Sequence, residues 1–168
     1  MTDEGRRIVA FYEGRAPDDR GRFHEQILRF DDAQLECVHD FIQWLFPLRD
    51  RSGANPSAPR LDDGAVQAFA DRPELRAALG RSLGRMMAFY GLTWECREVV
   101  RAADFEKHRH WLTPENHNHL RLTRMLISLK TLGLRDEAAA LYRGLTAIAA
   151  ENPGSVSART LRFWQEAR

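Results

Sequence analysis

Apolar residues in this chain recur at steps of three and four and show no sustained alternation with polar ones. Leu35, Val38, Ile42 and Leu45 set the pattern, and Phe41 and Trp44 widen it into a broad stripe. Such spacing puts side chains on one face of a helix, whereas a half-buried strand needs a period of two. It predicts a helix from Asp31 or Asp32, whose carboxylates suit an N-cap, to Pro47, which lacks the amide that a continuing helix needs. No segment combines alternation with β-branched residues. The expected fold class is therefore all-α with no β-sheet, an irregular antiparallel bundle of about six to seven helices.

Glycines and prolines lay out the rest. Residues 1–21 mix charge with Gly14, Pro17 and Gly21 and read as a loosely held arm, with Ile8, Phe11 and Tyr12 available to dock on the body. Residues 22–168 read as a single helical domain. A chain of 168 residues, 43% of them hydrophobic, suffices for a real core, since a domain near this size buries roughly 70% of its unfolded surface. Arg49 to Arg60 (RDRSGANPSAPR) read as an irregular loop. Asp62 or Asp63 starts a short helix ending near Ala70. Asp71 and Pro73 open the next helix, which Gly91 closes. Along one side of it lie Ala77, Gly80, Gly84 and Ala88. A mid-helix glycine costs about 1 kcal/mol relative to alanine, so this stripe predicts either a closely approaching helix backbone or room for a ligand. Thr113, Pro114 and Glu115 open a helix that Gly133 ends. Leu134, Ala138, Leu141, Leu145 and Ile148 mark the following one, and Val156 to Gln165 the last.

Twenty-five basic residues against 24 acidic leave a net charge of +1, which gives no field favouring nucleic acid or an anionic membrane. Apolar runs fall far short of the roughly 20 residues that span a bilayer, and MTDEGRR is not the start of a signal peptide. These features predict a soluble, cytoplasmic protein. Cys37 and Cys96 form no C-x-x-C pair and read as free, mostly buried thiols. No phosphate loop, nucleophile elbow or H-E-x-x-H pair is present, so neither cofactor nor metal is expected. His108, His110, His117 and His119 do crowd 12 positions. On a helix starting at Pro114, however, His117 and His119 point roughly 200° apart, which does not suit one shared ion.

Three segments carry a family resemblance. His39-Asp40-Phe41-Ile42-Gln43-Trp44-Leu45-Phe46-Pro47-Leu48-Arg49 resembles the "H-x-[YF]-I-Q-W-L-F-P-L-R" signature of the opioid growth factor receptor conserved domain. Asn55 and Pro59-Arg60-Leu61 follow at the proper distance, the latter in place of Lys-Pro-Leu. Met86 to Leu92 is similar to "M-L-x-F-Y-G-[IL]". His117 to Leu129 resembles "H-N-N-L-R-I-T-R-I-L-x-S-L", departing at His119, and continues into Leu132-Gly133-Leu134. The resemblance implies a helical domain; animal members are described as nuclear and perinuclear receptors for an endogenous opioid pentapeptide. The arginine-rich, tail-less form of this chain reads as a short bacterial member.

Within these segments, some polar residues fall where packing alone does not explain them. Asn118 shares the inward stripe of its helix with Leu122, Met125 and Leu129, so its amide needs partners, most simply in the loop at 49–60. It either braces that loop or meets a ligand. His117, Arg121, Arg124 and Ser128 run along one polar edge, where arginines fork carboxylates or phosphates or simply face solvent. His39 and Gln43 lie one turn apart, with Asp32 and Glu36 earlier on the same side. Trp44 and Tyr90 suit a core or a pocket wall. The candidate ligand-binding set is His39, Gln43, Trp44, Asn55, Tyr90, His117, Asn118, Arg121 and Arg124.

The reading these residues favour is a binding domain that recognises a small ligand, peptide or protein partner through a His/Asn/Arg/Trp cluster. Two alternatives stand beside it. One is an enzyme using His39 or His117 as acid-base; the other is a structural or assembly module, with a homo-oligomer as its form.

Overall fold

The computed structural model describes residues 1–168: ten helices and one two-stranded sheet. These fall into two compact units, residues 1–82 and 83–168.

The first unit contains α1 (Asp3–Tyr12), α2 (His24–Leu28), α3 (Asp32–Cys37), α4 (Ile42–Leu45), α5 (Asp63–Asp71) and the start of α6 (Pro73–Phe89). Helix α1 begins where the Thr2 hydroxyl accepts the Gly5 N–H, and Asp3 and Glu4 complement the positive end of its dipole. Ile8 and Phe11 are fully buried, and the Tyr12 hydroxyl donates to the Leu45 carbonyl. A Cβ on Gly5 would lie 2.7 Å from the Asp62 carboxylate, so any larger residue there would displace the carboxylate that caps α5. Asp62 accepts the Ala65 N–H at 2.7 Å and thereby caps α5. Partial burial pushes its carboxyl up, but Thr2, Ala65 and the N-terminal ammonium outweigh that and hold it at about 2.

The helix expected from Asp31 to Pro47 is interrupted. Asp31 caps α3 as anticipated, but Val38 adopts an extended conformation and helical bonding resumes only at α4. The Trp44 and Leu45 amides both donate to the Phe41 carbonyl, which leaves the Asp40 carbonyl outside the helical ladder. The Asn55 side chain fills that place, donating Nδ2 to Asp40 O at 3.2 Å. Arg20 and Arg22 grip the Asp40 carboxylate at 2.8 Å each. Periodicity remained helical across the break because Leu35 before it and Ile42, Trp44 and Leu45 after it are all buried.

The second unit holds the rest of α6, then β1 (Leu92–Glu95), β2 (Glu98–Arg101), α7 (Phe105–His108), a 3-10 turn at Arg109–Trp111, α8 (Asn118–Thr131), α9 (Arg135–Glu151) and α10 (Ala158–Ala167). The antiparallel hairpin, with Trp94 opposite Val99, overturns the expectation of no β-sheet. Each strand has only four residues, too few for alternation to register. Its two-residue turn, Cys96 and Arg97, takes left-handed φ values of 49° and 69° without the Asn-Gly pair that usually signals such a turn. The hairpin lies on α9. A Cβ at Gly144 would sit 2.5 Å from the Val99 carbonyl oxygen, and flanking pairs Arg143–Glu98 (2.9 Å) and Arg101–Glu151 (2.6 Å) hold its margins.

Helix α8 starts at Asn118, four residues later than Pro114 predicted. Glu115 has φ 58°, which no helix continues through. Asn116 organises this turn: its Nδ2 donates to the His110 carbonyl at 3.1 Å and its Oδ1 accepts the Asn118 N–H at 3.0 Å. Helix α8 packs against α9 and α10. A chain of bonds ties the ends together: His119 Nε2 donates to the Trp111 carbonyl at 2.8 Å, and Trp164 Nε1 of α10 donates to the His119 carbonyl at 3.3 Å. The bond to the Trp111 carbonyl, which can only accept, places the proton of the His119 ring on Nε2.

Two smaller expectations are also corrected. Cys37 and Cys96 are exposed, the first as the last residue of α3 and the second in the hairpin turn. The stripe of small residues on α6 is not a close-packing surface. Nothing lies within 4 Å of a Cβ built on Gly80 or Gly84, and Ala77, Gly84 and Ala88 are exposed.

Candidate functional site

In the second unit, the structure assembles Tyr90, Asn118 and Arg121. Tyr90 is fully buried just after the end of α6, where Gly91 turns the chain with φ 69°. Its hydroxyl donates to Asn118 Oδ1 at 3.3 Å, and Arg121 Nη1 donates to the same oxygen at 3.2 Å. The Tyr90 carbonyl in turn accepts Trp111 Nε1 at 3.1 Å. Asn118 is thus a buried amide at the first turn of α8, and its carbonyl oxygen is shared by a phenol and a guanidinium. That arrangement fixes the direction of Arg121, itself buried, one turn into the helix. Burial pulls the Arg124 guanidinium below its ordinary value, the electrostatic mark of a cation removed from bulk water. His117, at the N-terminal boundary of α8, is exposed.

The first unit places the signature residues differently from one another. Trp44 is 1% exposed, its ring 5.1 Å from that of Phe11 and beneath the Arg7 guanidinium, also at 5.1 Å. Its Nε1 and the neighbouring Gln43 Oε1 are buried without a hydrogen-bond partner. Gln43 Nε2 reaches only to Ser52 Oγ at 3.5 Å. His39 is exposed in the segment between α3 and α4, and Asn55 makes the bond to Asp40 described above.

Sequence reasoning missed several buried polar groups, His24 among them. His24 is 1% exposed, stacked among Phe11 and Tyr12, with Nε2 2.8 Å from Ser82 Oγ and Nδ1 3.7 Å from Glu25. Carboxylate, imidazole and hydroxyl stand in the order of a nucleophilic relay, yet Ser82 is fully buried and no substrate reaches it. Burial lowers the His24 pKa to about 4, with the Arg81 charge adding to the effect and Glu25 opposing it. The only sequence signal was a histidine four residues before Leu28, between the arm and the helix expected from Asp31.

A family model described as the opioid growth factor receptor conserved region matches residues 9–166. The chain belongs to this family. It is 44% identical over 112 residues to the opioid growth factor receptor of Mus musculus, covering 65% of this chain and 18% of that protein. The Homo sapiens receptor is 41% identical over 112 residues, covering 65% and 16%. Opioid growth factor receptor-like protein 1 of Mus musculus is 33% identical over 131 residues, covering 74% and 28%. The chain therefore spans under a third of the length of these relatives, and their vertebrate origin does not support the bacterial character suggested by its composition. No solved structure matches the chain. No helix of the domain is long and apolar enough to cross a membrane.

Proposed function

We propose that this opioid growth factor receptor domain is a binding module that recognises a ligand or partner through the polar edge of α8. The observation that carries the reading is the sharing of Asn118 Oδ1 between Tyr90 and Arg121. A leucine at position 118 would continue the apolar stripe at less cost, since a buried amide or guanidinium is tolerated only when its hydrogen bonds are made. Anchoring Arg121 Nη1 on Asn118 orders the start of this edge beside the half-buried guanidinium of Arg124, a flat, forked group that suits a carboxylate or phosphate presented by a partner. The relatives named as opioid growth factor receptors favour a peptide as that partner.

The test compares wild type with Arg124→Gln and Asn118→Leu. Immobilised domain is titrated with the opioid pentapeptide and with a panel of acidic peptides. We expect at least one saturable binder, weakened about tenfold by Arg124→Gln with the helical circular-dichroism signal retained, as loss of a charged hydrogen bond implies. Absence of any saturable peptide, or equal affinities for wild type and a stable Asn118→Leu protein, overturns the reading.

A second reading, self-association, is favoured by Leu120, which is 70% exposed on α8 in the same unit as exposed Ile127 and Phe163. Light scattering across protein concentration separates it from the first.

A further inference from the structure

The loop at Asp18 to Arg22, the break between α3 and α4, and the loop at 52–57 surround a cavity of about 240 Å3 in the first unit. Its walls are Asp19, Arg20, Arg22, Asp40, Asn55 and Ser57. The polar groups there are unequally used. Both oxygens of Asp40 are occupied, Oδ2 by Arg20 Nε and Oδ1 by Arg22 Nη2, each at 2.8 Å. Asp19 receives Arg7 on one oxygen and the Ser57 hydroxyl, at 3.4 Å, on the other. Asn55 Oδ1 accepts from Ser57 at 2.9 Å.

The donors are in surplus. Arg22 donates Nε to Asp18 and Nη2 to Asp40, while its Nη1 makes no bond within the protein. Arg20 is bound through Nε alone, so both of its terminal nitrogens are available. Of the two Asn55 amide protons, one goes to the Asp40 carbonyl. The guanidiniums are also held in position. Asp18, whose side chain is wholly buried, accepts the main-chain N–H groups of Arg20 and Arg22 at 2.9 Å each and Arg22 Nε at 2.7 Å. Ser57 has one hydroxyl proton to share between Asp19 and Asn55, but the remaining guanidinium N–H groups still outnumber the open acceptors, and such a cavity complements a ligand rich in acceptors.

We propose that this cavity binds a small oxyanion, a phosphate monoester or a short dicarboxylate, through the terminal nitrogens of Arg20 and Arg22. Size limits the choice. Drug-sized sites occupy roughly 300–1,000 Å3, so this one matches a phosphate group or a carboxylate with a short carbon chain. Two arginines face two aspartates on its walls, so recognition depends on directed donors and not on a net positive field. Chloride at equal ionic strength is consequently no substitute for the ligand. The site is independent of the polar edge of α8.

Calorimetric titration of the full chain with inorganic phosphate and, separately, with succinate tests this, with potassium chloride at matched ionic strength as the control. We expect saturable heat from at least one of the two, and which one responds identifies the source of the anion. Arg20→Gln, at a largely exposed position, should weaken that binding about tenfold or more without moving the melting temperature, whereas Arg124→Gln should leave it unchanged. Failure of both anions to bind saturably, or an Arg20→Gln protein that binds as wild type does, overturns the proposal. Loss of binding in Arg124→Gln but not in Arg20→Gln would overturn it too, by assigning the anion to the other site.

Discussion

Asn55 donates its side-chain amide to the main-chain carbonyl of Asp40 at 3.2 Å, at the point where the helix through the family signature is broken. The bond crosses 15 residues and supplies the partner that the interrupted helix does not.

Replacing Asn55 by alanine leaves that carbonyl to whatever solvent reaches it, which should lower unfolding free energy by about 1 kcal/mol. Asn55→Asp should be worse at neutral pH, because it removes the donor and sets a second carboxylate beside Asp40. Urea denaturation of both variants at pH 7 checks the order; equal stabilities would show that the break is held by other contacts.

Gly84→Ala should stabilise the protein. The position is helical, exposed and open around the added methyl group, so the substitution gains helix propensity and restricts the unfolded chain, together roughly 0.5–1 kcal/mol. Gly80→Ala should do the same, and the double variant should be close to additive in thermal or chemical denaturation.

Gly144→Ala should act in the opposite direction. The new methyl carbon would meet the Val99 carbonyl oxygen at 2.5 Å, and a backbone atom moves only if the hairpin lifts from α9. We expect a loss of roughly 1–3 kcal/mol, the usual range for overpacking. Faster amide exchange in Glu98–Arg101 than in α8 would locate the damage.

Acid should weaken the first unit through His24. Its folded pKa of about 4 lies below the ordinary 6.5, so between these values the unfolded chain binds a proton that the folded chain refuses. Stability should be fully present above about pH 6.5 and fall as pH drops towards 4. In His24→Gln, where an amide replaces the imidazole beside Ser82, the slope over that window should flatten. Denaturation midpoints at half-unit pH steps provide the measurement.

Much of the helical layout was legible because capping residues and breakers act locally. Asp31 and Asp62 cap where their carboxylates predicted, and Gly91 and Gly133 turn with positive φ after α6 and α8. What escaped the sequence depends on partners distant in the chain. Nothing local to residues 38–41 announces that Asn55 will replace a helical hydrogen bond. Nor does Cys96-Arg97 announce a hairpin, since its left-handed geometry is imposed by strands that α9 supports. The same distinction applies to the candidate residues. The inward position of Asn118 followed from periodicity, but its bonds to Tyr90 and Arg121 required the turn at Asn116, which moves the helix start past Pro114. Asp18 lay in the stretch that read as a loose arm and Arg22 at its boundary with the domain, so nothing marked them as the wall and support of a cavity.

The tie from Trp164 to His119 and on to Trp111 bears on how this domain can be divided. Removing α10 would expose to solvent the face of α8 that Trp164 covers, so a recombinant fragment ending before residue 164 should be prone to aggregation and proteolysis. The practical boundary for any shortened version or fusion lies beyond Ala167, however far from the signature segments that position appears in the sequence.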